Sequence, residues 1–171
     1  MYDGFGKRMS LYDNASIFLI FAKEDRMEKN EEILKRYGER VGYNEDDLEK
    51  FKEGGHRVRH VRRLSLAAGL YTIEAEVVKS RHCNTGYKLG DRFIIDVDGN
   101  FITKLCPKRM CVYLVSQLTI PVALINERLS EGLDPNQFHF MHEVRCPDVG
   151  IDCSGYGEVM LRVQVVSRQP K

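Results

Sequence analysis

The spacing of apolar residues changes character at Tyr71. Before it, apolar positions recur at three- and four-residue steps, the period of helices with one buried face. Asp13 and Asn14 could cap a helix that begins with Ile17 to Phe21. A second helix is predicted from about Glu28 to Val41, with Ile33, Leu34, Tyr37 and Val41 on one stripe and Gly42 as its stop. Asn44 then caps a short helix whose first turn carries Glu45, Asp46 and Asp47, where the helix dipole favours anions. Leu48 and Phe51 are its apolar contacts, and Gly54-Gly55 ends it. From His56 to Gly69, Val58, Val61, Leu64 and Ala68 again fall at helical spacing.

After Tyr71 the period drops to two. Ile73, Ala75 and Val77 alternate with Glu74 and Glu76, a strand with one wet face. Phe93, Ile95 and Val97 form the next, and Asp98-Gly99 is a hairpin turn leading to a return strand over Phe101 to Thr103. Pro107 can open a helix running to about Gln117, because its missing N–H would be unpaired there anyway. Pro121 starts or kinks the next, with Val122, Ile125 and Leu129 inward and Gly132 as stop. Phe138, Phe140, His142 and Val144 alternate as a fourth strand, and Val159, Leu161, Val163 and Val165 as the last. The fold class is α+β. A helical N-terminal portion (1–70, with 1–26 as an extension) precedes a cysteine-bearing domain (71–171). That domain is expected to be an antiparallel sheet or small open barrel of about five strands packed on a helical pair.

Composition narrows the class of function. The 171 residues carry 26 Lys+Arg against 25 Asp+Glu, and 43% are hydrophobic. These are globular values, not those of a disordered chain. The longest apolar run, Ile17 to Ala22, is too short to span a bilayer. Arg57, Arg59, Arg62 and Arg63, with His56 and His60, make one basic face; it reads as a solvated helix face, or one paired with Glu45 to Asp47. A net charge of +1 and the lack of interleaved aromatics argue against nucleic acid. The turn Gly86 to Gly90 has no helix after it and is not a phosphate loop.

The chemistry-bearing residues are the five cysteines. An odd number in a chain long enough to hold a core points to reduced thiols, hence to an intracellular, cytoplasmic protein. Lys7 and Arg8 precede an apolar stretch too short, and without a cleavage pattern, for a secretory signal. Cys83, Cys106, Cys146 and Cys153 fall at element ends, where loops carry function, and Cys111 one turn into a helix.

Three readings stand. In the leading one, Cys83, Cys106 and Cys146, with Cys111 or Cys153 assisting, line a site for a metal ion, as zinc or an iron–sulfur cluster, with His82 and His142 as spare ligands. In the second, Cys106 is the N-cap of a helix begun by Pro107. Lys104, Lys108 and Arg109 then favour its thiolate, and it is the nucleophile of a small thiol-dependent enzyme with His142 as base. In the third, the thiols are incidental to a structural or interaction module, a homodimer joined through Ile17 to Phe21. The expected partner is a small molecule or metal ion, not a membrane.

Taken in series, several segments form a pattern: Cys83-Asn84-Thr85-Gly86-Tyr87-Lys88-Leu89-Gly90-Asp91, Asp98-Gly99-Asn100, Cys106-Pro107-Lys108-Arg109-Met110-Cys111, Glu127-Arg128, Gly132-Leu133-Asp134-Pro135-Asn136 and Cys146-Pro147-Asp148-Val149-Gly150 with Cys153. The series resembles a family of small uncharacterised prokaryotic proteins. That family is marked by a cysteine before a Gly-His-Lys-x-Gly-Asp turn, a Cys-Pro pair before a helix and a Cys-x-Asp loop before the last strand. The resemblance covers residues 71–166, and Gly42 to Asp46 is similar to the lead-in of longer members. It implies that the thiol-bearing segments work as one unit. It supplies no reaction, since the family has no assigned activity. Tyr87 stands where the family pattern has His, which removes one ligand from a Cys/His site.

Overall fold

The computed structural model describes residues 30–168. The expected caps Asp13 and Asn14, the helix from Ile17 and the extension 1–26 lie outside them. The chain is α+β and divides into two compact units between Gly54 and Gly55.

In the first unit, α1 (30–41) buries Ile33 and Leu34, while Val41, on the predicted stripe, is exposed. The helix closes at Gly42, whose N–H bonds the Gly38 carbonyl. Asn44 caps α2 (Glu45–Lys52). Its side chain accepts the Asp47 N–H at 2.8 Å, and the Asp47 carboxylate accepts the Asn44 N–H at 3.2 Å, so two otherwise orphaned donors are satisfied reciprocally. Phe51 is buried and stacks on Tyr37, centroids 5.5 Å apart.

The second unit opens with α3 (Gly55–Ala68) and continues through β1 (Tyr71–Arg81), β2 (Arg92–Ile95), α4 (Val112–Val115), α5 (Thr119–Glu131), β3 (Glu143–Arg145) and β4 (Glu158–Ser167). The strands form one open antiparallel sheet in the order β2-β1-β4-β3. Ile73, Ala75, Val77, Phe93, Ile95, Val144, Leu161 and Val163 point inward, and Leu64, Leu114, Leu118 and Ile125 join the same core. α3 packs on α5, through an Arg59–Glu131 ion pair of 2.6 Å and a hydrogen bond between His60 Nδ1 and Ser130 Oγ. On the basic face of α3, Arg59 thus finds its carboxylate at Glu131.

Four strands are present among the described residues where about five were expected, because the return strand does not form, and one further strand and one helix start differ from expectation. The Asp98-Gly99 turn does form, with Asp96 Oδ1 accepting the Asn100 N–H at 2.8 Å. Past it, however, Phe101 makes only an isolated bridge to Ile95 before the chain coils into a 3-10 turn at Thr103–Leu105. The expected strand through Phe138, Phe140 and His142 is broken by Met141, which adopts φ 67°; only Glu143–Arg145 pairs with β4. Pro107 opens no helix. Helical structure starts at Val112 and runs through α4, a 3-10 turn (Ser116–Leu118) and α5, so the expected helical pair is one interrupted helical run, whose α5 packs on α3 instead. Pro121 sits in the first turn of α5, where a missing N–H costs nothing.

At the outer strand β2, and on β4 where β3 no longer covers it, side chains sit where a further strand would pair. Beyond β2, the Ile94 N–H donates to Cys106 Sγ at 3.3 Å, and the Cys106 thiol donates back to the Ile94 carbonyl at 3.4 Å. Past the end of β3, the Val165 N–H donates to Asn136 Oδ1 at 2.7 Å, and Asn136 Nδ2 donates to the Val165 carbonyl at 2.9 Å. Each side chain supplies the donor and acceptor of an absent strand residue, which blunts an edge that would otherwise template pairing. On the sheet's outer face, Arg92, Glu76, Arg162 and Glu143 stand opposite one another in register across all four strands. Charge alternates along that row, the Arg162–Glu143 pair closing to 2.9 Å.

Among the described residues, no helix is long and apolar enough to cross a membrane.

Candidate functional site

The loop after β1 and the segment before α4 are joined by one side chain. The turn Cys83 to Gly86 closes with the Gly86 N–H on the Cys83 carbonyl. Tyr87 then enters the core, 5% exposed, its ring edge-on to Phe93. Its hydroxyl donates to the Arg109 carbonyl at 2.9 Å and accepts the Cys111 N–H at 2.8 Å. A phenol that both donates and accepts inside the core fixes two backbones at once. This pinning places Cys111 at the N-cap of α4.

The Cys111 sulfur is half-buried. Burial, the largest single influence, pushes its thiol pKa up, but the Leu114 N–H, the Thr85 hydroxyl and the Tyr113 N–H together outweigh it and hold the thiol below its ordinary range. The Leu114 N–H is shared, since it also bonds the Cys111 carbonyl at 3.1 Å; no tight cap bond to the sulfur forms. Tyr87 is displaced in the opposite direction. Burial pushes its phenol up, donation from the Cys111 N–H pulls it down, and the thiolates of Cys111 and Cys83 and the Asp91 carboxylate add to the rise. Cys83 and Cys111 therefore both lie within electrostatic reach of Tyr87.

The remaining expected residues occupy other places. Cys106 is not a helix N-cap: it ends the 3-10 turn at Thr103–Leu105, with its sulfur on the Ile94 backbone. Cys146 is half-buried just past β3, its N–H on the Val159 carbonyl. Cys153 is exposed in the 3-10 turn Ile151–Cys153. The loop around that turn is held by Asp148, whose carboxylate accepts the N–H groups of Gly150, Tyr156 and Gly157 and is held below its ordinary pKa, chiefly by Tyr156. The loop packs so closely that a Cβ on Gly157 would run into the His82 carbonyl, and one on Gly155 into the Asp148 carboxylate. His82 itself is exposed at φ 53°.

His142 stacks on Phe138 at 4.0 Å, with Nε2 2.6 Å from the Phe138 carbonyl. It borders an open groove of about 690 Å³ with Asn136, Met141 and Gln164. No hydrogen bond joins it to Cys106 among the described residues, and no group of three or more His, Cys, Asp or Glu side chains there is placed to hold a metal ion.

Two participants escaped the sequence reading. Thr85 gave no signal beyond its turn, and Tyr87 registered only as the residue standing in place of His. Comparison of the chain with protein-family models, curated proteins and solved structures finds no match.

Proposed function

We propose that this protein works through a reactive thiol at Cys111, as a small thiol-dependent enzyme or redox protein, with Cys83 as the neighbouring thiol. One observation carries the reading: the Tyr87 hydroxyl fixes the backbone of the half-buried Cys111 at the start of α4, and the thiol is held below its ordinary range despite that burial. A thiolate formed nearer neutral pH is the nucleophilic species of a cysteine. The role assigned above to Cys106 passes to Cys111, because the Cys106 sulfur is engaged at the edge of β2.

Alkylation by iodoacetamide, followed at each cysteine by mass spectrometry across pH, tests the reading. Cys111 should alkylate at half its maximal rate below the ordinary thiol value of about 8.5, and Thr85→Val should move that midpoint up. A Cys111 that titrates as a free thiol, or reacts more slowly than exposed Cys153 near neutrality, removes the proposal. The expectation of zinc or an iron–sulfur cluster is met on the same anaerobic preparation by elemental analysis and visible absorption. Stoichiometric metal or sulfide-linked absorbance would favour a ligand role for these thiols instead.

A further inference from the structure

The outer strand β3 leaves its free edge bare. The Val163 N–H donates to the His142 carbonyl at 2.7 Å, and the Cys146 N–H to the Val159 carbonyl at 2.9 Å. Bonded pairs alternate along an antiparallel ladder. Val144, opposite Leu161, therefore bonds to β4, while Glu143 and Arg145 turn their N–H and C=O groups away from it. No hydrogen bond takes up those groups among the described residues. Val144 points into the core, and Glu143 and Arg145 stand exposed on the outer face. Their charges are incompletely matched. Arg162 Nε and Nη2 both donate to Glu143 Oε1, at 3.2 and 2.9 Å, which leaves Oε2 without a donor among the described residues. The Arg145 guanidinium has neither a hydrogen bond nor an ion pair among them. The alternating row Arg92, Glu76, Arg162, Glu143 thus stops on an anion, with an uncompensated cation two residues along the same strand.

We propose that β3 pairs antiparallel with β3 of a second copy of this chain, about a two-fold axis through the Val144 pair. In that register Glu143 of each copy stands opposite Arg145 of the other. These are the residues whose main chains face outward, so each pair exchanges both of its N–H and C=O groups. The cation from the second copy meets the open side of Glu143, and the alternating row runs on across the junction. Charge fixes the register. Sliding the strands by two residues sets Glu143 against Glu143 or Arg145 against Arg145, and like charges directly opposite are destabilising. A segment that is its own complement in this way fits a copy of itself. The ribbon is short because Met141, at φ 67°, ends it on one side and Pro147, without an N–H, on the other. Phe140 and Val149, both exposed, lie just beyond those ends, so the two-fold carries the Phe140 end of one copy toward the Val149 end of the other. A contact of this extent belongs with weak, reversible interfaces.

Sedimentation velocity of the full chain from about 1 μM to about 1 mM, the span of weak association, should show monomer giving way to dimer. Arg145→Glu and Glu143→Arg should each weaken the dimer by roughly tenfold or more, because each sets like charges opposite at both pairs. An equimolar mixture of the two variants should recover it, since every pair between them is again Glu against Arg. Circular dichroism verifies that these exposed changes leave the fold intact. Amide hydrogen exchange reads the backbone: the N–H groups at 143 and 145 should slow as wild-type concentration rises, and should not in Arg145→Glu over the same range. A chain that stays monomeric throughout overturns the proposal. So does a dimer that both variants leave unchanged, or a mixture that associates no better than its components, because either puts the contact elsewhere.

Discussion

At the Tyr87 hydroxyl one side chain holds the backbone on both sides of Met110. It fixes the Cys111 N–H and the Arg109 carbonyl, and removing it strands both groups. Tyr87→Phe should therefore cost about 1–3 kcal/mol in chemical denaturation and loosen the segment that presents Cys111, moving its alkylation midpoint toward that of a free thiol. The two displaced groups also predict opposite pH slopes. The phenol pKa is raised on folding, so its contribution is whole below the ordinary tyrosine value of about 10 and drains away as pH rises through the folded value. Wild type should lose more stability than Tyr87→Phe between pH 9 and 11. The Cys111 thiol is lowered on folding; its contribution is present above the ordinary thiol value and lost as pH falls through the folded one. Cys111→Ser should flatten the slope on that acid side and leave the alkaline limb in place. Denaturant midpoints measured at a series of pH values check both limbs, and identical curves for all three proteins would contradict the assignment.

At the scale of elements, the sheet ends where side chains take the place of strands. Asn136→Ala removes both a donor and an acceptor from Val165 and should cost about 1–2 kcal/mol. It should also expose an edge that pairs with other chains, read as light scattering at high concentration. Cys106→Ser keeps a donor and an acceptor near Ile94 and should be milder than Cys106→Ala. This accounts for one thiol that sequence reasoning made chemical. The elements that were legible are those whose signal is long or chemically specific. β1 and β4 keep their alternation over many residues, and the Asn44 cap carries its own reciprocal partner in Asp47. The unreadable ones depend on contacts distant in sequence. Phe138 to Val144 alternates faultlessly on paper, but the stack of His142 on Phe138 and the positive φ of Met141 spend that alternation on a turn. Pro107 is a permissible helix start, yet the helix waits for Cys111, because the group that fixes its first residue is the Tyr87 hydroxyl, more than twenty positions upstream. The spacing of the sequence put Cys83, Cys106, Cys146 and Cys153 at element ends and Cys111 one turn into a helix, whereas Cys111 stands at the start of one. Which thiol sits at a helix start was a tertiary fact.

For the molecule as a whole, the division between Gly54 and Gly55 carries a consequence for stability. The cluster that contains the sheet core draws on residues from Leu64 to Val165, so the second unit owns its apolar interior. It also owns the Tyr87 link, both edge caps and the α3–α5 ion pair. A unit of on the order of a hundred residues with its own core is large enough to fold alone. Gly55–Lys171 expressed without the first unit should unfold cooperatively, with a stability of about 5–10 kcal/mol, and should keep the low alkylation midpoint of Cys111. The reading depends on α3 belonging with the sheet rather than with the helices before it, although its sequence reads as their continuation. Its partners decide the matter: Arg59 reaches Glu131 and His60 reaches Ser130, both on α5, and Leu64 and Ala67 lie in the sheet core. Beginning the shortened chain at Tyr71, without α3, should leave those α5 groups unpaired and the inner sheet face open. The expected product is a loosely packed state that binds a hydrophobic dye and has lost its near-ultraviolet circular dichroism. If the chain from Tyr71 unfolds as cooperatively as the chain from Gly55, α3 is dispensable and the boundary falls where helix gives way to strand.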